Sequence, residues 1–384
     1  MKKRILAVLL CLVLAACLLA GCGGGKPSSS AAPTAEPIAE PTAEPTAEPT
    51  AVPTAEPAAQ PVSGHDALTG VEVTEGPQPR PIAVMLNNRA QAWNHWGVSY
   101  ADVLVEALCE GKATGLMAVY SGYEALPERV FPVGDGRDTF WQLAMPYNAV
   151  PVQLDSNIYA SNLLNYYGYQ PIEALSAGKD AFVFAPERAA LGHEFAWYIT
   201  QERYENAMNW YGMDRSSAVA VPDLFRFAGA GEALPAPAGE SGGAEQVQVT
   251  FSDQYTIRLP YNAETGLYEK YQAGGEPHVD AFSGEVVSFR NVFVLECVSG
   301  VKDDGYTREY DLSAGGEGLY LTDGGWQRIR WEKGGPMDAL KLYSASGEEL
   351  TVNRGASYIA LYGGFSGQQV QVRSGETDLY PFEG

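Results

Sequence analysis

The chain has 384 residues, with 25 Lys and Arg against 47 Asp and Glu, and a formal net charge of −22. Such a balance repels polyanions, so nucleic acid is excluded as an expected partner. Five cysteines are too few for a disulfide-stapled fold of this length.

The first segment carries Lys2-Lys3-Arg4, an apolar run from Ile5 to Leu18, and then Leu19-Ala20-Gly21-Cys22. The run is short of the roughly 20 residues that span a bilayer. A basic start, a short apolar stretch and small residues before a cysteine read as a lipoprotein signal peptide over 1–21. The expectation is cleavage before Cys22, lipidation of its thiol and anchoring on the extracytoplasmic face of the cell membrane. One acyl chain holds a protein only marginally, and a diacylglycerol supplies the second.

Residues 22–64 follow as a spacer. From Pro33 to Pro61 a proline stands at every fourth position, mostly in Pro-Thr-Ala-Glu units. With almost no large apolar side chains, this stretch cannot offset its ordering entropy. Its composition favours extended polyproline II, and the roughly 40 residues could reach on the order of 100 Å. Four of the Lys and Arg and five of the Asp and Glu precede residue 65, so the remainder carries 21 bases and 42 acids, near −21.

An α/β domain is expected over 65–228. Pro81-Ile82-Ala83-Val84-Met85-Leu86 reads as a buried strand ending in Asn87-Asn88, with further strands at Asp102–Leu108, Leu116–Tyr120 and Arg129–Val133. Asp138–Ala144 reads as a helix with Asp138 or Thr139 as N-cap, and Ile158–Tyr167 and Thr200–Tyr211 as two more. A Gly/Ala/Pro-rich linker spans 229–244. Beyond it, alternation in Gln246-Val247-Gln248-Val249-Thr250-Phe251 and turns at Ser283-Gly284, Asp323-Gly324 and Ser346-Gly347 predict an antiparallel β-rich domain over 245–384. The fold class is therefore α+β or α/β, a mixed α/β domain followed by a β-rich one. Cys109 and Cys297 lie in apolar stretches and read as buried free thiols, although a bridge between them is open.

Recognisable chemistry is sparse. His193-Glu194-Phe195-Ala196-Trp197 has Trp where a zinc-protease helix needs its second histidine. Four histidines without paired spacing predict no metal site. Ser176-Ala177-Gly178-Lys179 matches a bare Ser-x-x-Lys pattern without its companion motifs. No nucleotide-loop or dinucleotide motif is present, so no cofactor is expected. The most suggestive stretch is Gly134-Asp135-Gly136-Arg137-Asp138, between a strand and a helix start. Arg137 with helix N–H groups could hold an anion, Asp135 and Asp138 could hold a cation, or the stretch is a turn with a local salt bridge. His278-Val279-Asp280 reads as two ligands or a polar turn. Trp93 and Trp96, and Tyr159, Tyr166, Tyr167 and Tyr169, read as packing or as an exposed aromatic surface.

Several segments together resemble the YerB-type bacterial lipoproteins, a two-domain family without an established function. They are Arg80–Asn88, Ala101–Glu106, Thr114–Tyr120 and Pro132–Asp138, then Tyr271-Gln272 with Pro277–Asp280, Asn291–Val294 and Gly316–Tyr320. The resemblance implies a shared site at the matching positions Asn88, Glu106, Arg137 and His193. Three departures stand out. The family pattern has an arginine where Gly134 stands, a Gly-rich histidine-bearing stretch near Gln153–Asn157, and no Trp pair in the Ala90–Gly97 loop. The leading expectation is a membrane-anchored binding or interaction module of the cell envelope. Its partner would be an envelope glycan, a phosphate-bearing ligand or an envelope protein. The alternative is an envelope enzyme acting on a phosphate-linked or glycan substrate around Arg137.

Overall fold

A long run of apolar, β-branched residues can be buried on both faces only inside a sheet covered on both sides. Ile82–Asn87 (β1), Val103–Glu110 (β2) and Ala113–Tyr120 (β3) are such runs, and they form the middle of the largest sheet. The computed structural model describes residues 64–174, 180–232, 234–237 and 243–383, with side chains to 380. The signal, Cys22, the spacer and Ser176–Lys179 lie outside them.

The other strands of the two large sheets, in chain order, are Val150–Gln153 (β4), Ile172–Glu173 (β5), Gln246–Ser252 (β6), Tyr255–Asn262 (β7), Leu267–Glu269 (β8) and Ser288–Phe289 (β9). Then come Asn291–Glu296 (β10), Gly316–Thr322 (β11), Gly325–Glu332 (β12), Lys341–Ser344 (β13), Ser357–Tyr362 (β14), Gln369–Ser374 (β15) and Thr377–Glu383 (β16). One ten-stranded sheet runs β13-β12-β11-β10-β14-β2-β3-β1-β4-β5, and a six-stranded one runs β9-β8-β7-β6-β15-β16. The N-terminal segment is α/β and the C-terminal one is β-rich and largely antiparallel, as expected. The two share the large sheet. β2 pairs in parallel with β14, from Val103 opposite Ser357 to Ala107 opposite Leu361.

Alternation sorts the side chains of the large sheet into two cores. Ile82, Val84 and Leu86 point to the face covered by the second sheet, where Val247, Val249, Phe251, Ile257 and Leu259 meet them. Ala83 and Met85 point to the other face, against the first helices. Helix α1 is Asp138–Ala144, α2 is Ile158–Tyr166 and α3 is Gln201–Tyr211. Asn157 caps α2 by accepting the Ala160 N–H at 2.9 Å, and Thr200 caps α3 by accepting that of Arg203 at 3.1 Å. Gly212, at φ 62°, closes α3. Asp323 (φ 51°) and Gly324 (φ 71°) make the tight turn between β11 and β12.

The N-cap expectation for α1 is corrected. Its N-cap is Arg137, without a side-chain cap, and Asp138 is the first helical residue. The Asp138 carboxylate instead meets Lys302 Nζ at 2.9 Å on the Val298–Asp311 arm. An ion pair is worth more to a buried carboxylate than an exposed cap position, and Asp138 is buried.

Gly134 lies tightly over the end of β1. A Cβ there would approach the Asn87 nitrogen to 2.7 Å and the Leu86 carbonyl carbon to 2.8 Å. The arginine implied at this position therefore cannot be seated unless the loop moves. Gly134→Ala should destabilise by about 1–3 kcal/mol. Urea titration checks this, and an unchanged midpoint would contradict the packing.

Candidate functional site

β1 and β4 are parallel, and β2 runs in the same direction as β1 because both oppose β3. Their carboxyl ends therefore open on one edge, where sheets of this kind form crevices. The Gly134–Arg137 loop closes over that edge. The Gly134 N–H donates to the Met85 carbonyl at 2.7 Å, and the Leu154 N–H donates to the Gly134 carbonyl at 2.8 Å. Glu110 and Ala113, from the β2–β3 hairpin, form the opposite wall.

The result is a cleft of two compartments. The inner one, about 300 Å³, is lined by Arg137, Glu110, Asp135, Cys109, Asn88 and Glu194 among others. The outer one, about 470 Å³, is lined by Trp93, Tyr255, Tyr306, Lys112 and Gln254 among others. Arg89, Glu110 and Ala113 border both. These sizes suit a small ligand or part of a chain.

Arg137 dominates the inner compartment and is already engaged. Its Nε donates to the Glu110 carboxylate, one terminal nitrogen donates to the Gly136 carbonyl at 2.8 Å, and the other lies 3.9 Å from Asp135. Burial is the largest single influence and would lower its pKa, but the bond to Glu110 together with the charges of Cys109, Glu110 and Asp135 outweighs it, so the pKa is raised. Burial raises the pKa of Asp135 while Arg137 opposes the rise. The Cys109 thiol is pushed up to about 12 by burial, which makes it a poor nucleophile.

Beneath the cleft lies a buried polar network joining the two segments. Glu106, fully buried in β2, pairs with fully buried Lys270 at 3.2 Å. Its Oε1 accepts from Thr114 at 2.6 Å and from Asn88 Nδ2 at 3.1 Å, and its Oε2 accepts from the Tyr358 hydroxyl at 2.8 Å. Four donors thus serve one carboxylate, which approaches its full capacity. Asn88 Nδ2 also donates to the Tyr255 hydroxyl at 2.6 Å, and Lys270 donates to Gln272 Oε1 at 3.2 Å. Burial lowers the Lys270 pKa, and Glu106 opposes the fall.

A second lock sits alongside. His95 Nε2 donates to the Asn87 carbonyl at 2.9 Å, so in the neutral ring Nδ1 is a bare acceptor. It lies 2.9 Å from His278 Nε2, which must then carry the proton. Asp280 accepts from the Ser99 N–H and hydroxyl at 3.0 and 2.9 Å, and from the Phe282 N–H at 2.9 Å. His278 and Asp280 are thus buried structural groups on an extended stretch, with exposed Val279 between them bridging Val286, and the turn follows Asp280. Desolvation lowers the His95 pKa to about 4 and that of His278 well below its usual value.

The sequence candidates fall in four places. Asn88 and Glu106 share the buried network, with Asn88 also bordering the cleft. Asp135 and Arg137 line the inner compartment. Asp138 faces Lys302, so it does not converge with Asp135. His193 is exposed, its ring against Phe184 and Trp197, and it does not line the cleft, although Glu194 does. Because α1 has only seven residues and Asp138 is turned to Lys302, the anion-binding helix start loses its basis. Trp96 packs on Phe131 and Tyr198, whereas Trp93 lines the outer compartment. Cys109 and Cys297 are free thiols. Sequence reasoning missed Glu110, Tyr255, Lys270 and Tyr306. The one usable signal was Glu106 itself, a lone charge in an apolar strand that demands a buried partner. Among the described residues, no helix is long and apolar enough to cross a membrane, which says nothing of strands.

A mixed sheet shared by two segments, with a cleft over their junction, defines a two-part fold whose halves are built together. Residues 68–209 match the family described as protein of unknown function (DUF3048), N-terminal domain, and residues 247–359 match its C-terminal domain. The chain belongs to this family. Residues 28–63 match a repeat described as PT disordered repeat. YerB of Bacillus subtilis (strain 168), which its name provisionally calls a lipoprotein, is 26% identical over 267 residues, covering 69% of this chain and 77% of that protein. The crystal structure of the YerB protein from Bacillus subtilis is similar with a TM-score of 0.65 at 21% identity, covering 80% of this chain and 99% of that one. That likeness establishes the fold.

Two outcomes test the network. Lys270→Met should cost about 3–5 kcal/mol by stranding Glu106, while adding Glu106→Gln should recover part of the loss. Chemical denaturation of both singles and the double checks this, and strictly additive losses would contradict the coupling. For His95, the folded pKa lies below the unfolded one, so the unfolded chain binds more protons between them. Its contribution is present above about pH 6.5 and is lost as pH falls toward 4, by about 3 kcal/mol in all. His95→Gln should reduce the slope of the stability profile in that window without abolishing it, because His278 beside it is also held neutral by burial.

Proposed function

We propose that this protein is a lipid-anchored, extracytoplasmic binding module of the bacterial cell envelope, and that the cleft over the two-segment junction is its binding site. The Leu19-Ala20-Gly21-Cys22 motif and the proline repeat support the anchor and the stand-off from the membrane. The observation that carries the binding reading is the engaged Arg137. A guanidinium already bonded to Glu110 is a preorganised recognition element, held in place before a ligand arrives. The same pairing weakens the alternative of phosphate-linked chemistry at Arg137, because the charge that would stabilise a phosphoryl group is already neutralised.

Two measurements test this. Cys22→Ala should move the protein from the membrane fraction to the soluble fraction or leave an unprocessed precursor. Normal processing with full membrane retention would refute the anchor. Purified protein should co-sediment with insoluble cell-envelope material, and Ala113→Trp, which fills the border of both compartments, should reduce this at least tenfold at unchanged melting temperature. Indifference to Ala113→Trp would refute the cleft as the site.

A further inference from the structure

We infer that the ligand of the cleft is an uncharged glycan chain, an inference that rests on the cleft being the binding site as proposed above. The outer compartment presents aromatic faces, those of Trp93 and Tyr255 held by hydrogen bonds, with polar groups at their edges. Trp93 is half-buried, and its Nε1–H donates to the Asn88 carbonyl at 3.3 Å, so the indole is held by the same residue that anchors the buried network. Gly274 lies against the ring; a Cβ there would sit 3.3 Å from it. Tyr306, 57% exposed, stands on the arm beside the β2–β3 hairpin, and Tyr255 forms the floor. Gln254 and Lys112 line the same compartment, with Lys112 paired to Asp253 at 2.5 Å. A pyranose ring has an apolar C–H face and a polar hydroxyl rim. Amphipathic aromatics bordered by amides and paired charges complement both.

The charges decide against the other ligand classes. The inner compartment sets Arg89 and Arg137 against Glu110, Asp135 and Glu194, which leaves one net negative charge. A phosphate would add its own charge beside Glu110, Asp135 and Glu194, in a compartment that is already net negative. A peptide bound by strand addition would need a free strand edge to pair with. At this cleft β2 is flanked by β14 and β3, and β3 by β2 and β1, so none is offered. Hydroxyl groups accept from guanidinium and donate to carboxylate without asking either to give up its partner.

The test uses the whole mature chain and two probes, N-acetylglucosamine oligomers and inorganic pyrophosphate. The oligomers should bind, alter tryptophan fluorescence and compete with envelope co-sedimentation. Trp93→Ala and Tyr306→Ala should each weaken binding roughly tenfold, the scale of one lost aromatic contact. Tyr306 is exposed, so its variant tests the site even if the Trp93 variant folds poorly. Pyrophosphate should neither bind nor compete. If pyrophosphate competes and the oligomers do not, or if oligomer binding ignores Tyr306→Ala, the glycan assignment is overturned. In that event, envelope co-sedimentation that still responds to Ala113→Trp preserves the binding-cleft reading. Co-sedimentation indifferent to Ala113→Trp removes both.

Discussion

The ion pair between Glu106 and Lys270 is the constraint around which the described structure is arranged. Neither side chain touches solvent, so each is tolerable only while the other is present. Glu106 belongs to a strand of the N-terminal segment, and Lys270 follows a strand of the C-terminal one. The pair therefore makes the correct apposition of the segments a condition for burying either charge. Tyr358 extends the condition to β14, the strand that pairs with β2. The Asp280–Ser99 and His95–His278 contacts repeat the logic a short way along the same junction. Such networks add little net stability compared with apolar packing, but they penalise misassembly strongly.

The cleft follows from that arrangement. Asn88, Thr114 and Tyr255 bind one another or Glu106, and the same residues border the compartments above. Apart from the buried Asn88 Oδ1, which has no partner, this floor has its hydrogen bonds already made, so under the proposed binding it would need little reorganisation. The walls are handled in the same way, since Arg137 is held by Glu110 and the Gly136 carbonyl. A strongly acidic protein thus presents a cleft whose charges are nearly balanced, and selectivity there falls to shape, aromatic faces and hydrogen-bond geometry.

How much of this was legible in the sequence depends on the range of the forces involved. The three helices were readable to within a residue or so; for α2 and α3 the reason is that Asn157, Thr200 and Gly212 set their ends by local hydrogen bonding and backbone geometry. The strands Ile82–Asn87 and Gln246–Ser252 were readable because burial on two faces or one leaves a pattern in the chain. The β2–β14 pairing was not readable, since parallel pairing of segments some 250 residues apart leaves no local mark. The site shows the same division. Asn88 and Glu106 were picked out through the family resemblance, and Arg137 both through it and through its place in the Gly134–Asp138 stretch. Glu106 announced a missing partner, yet Glu269-Lys270 looks like any solvated charge pair, and only the tertiary fold buries one member of it. Asp138 was misjudged because a helix-start aspartate is normally a cap, and a lysine 164 residues away claimed it instead.

The shared sheet bears on what counts as the functional unit. Separating the segments would expose β2 and β14 as long apolar edges, an aggregation hazard in itself. It would strand Glu106 and Lys270 in nonpolar surroundings. It would also divide the cleft, since Arg137, Glu110 and Trp93 come from one segment and Tyr255 and Tyr306 from the other. Neither family region can therefore hold a ligand in this geometry alone. Binding energy gained across the cleft also stabilises the junction beneath it, because anything that binds only the assembled state favours that state by mass action. A ligand bridging Trp93 and Tyr306, as proposed, would clamp the two segments together and so link occupancy to the integrity of the sheet.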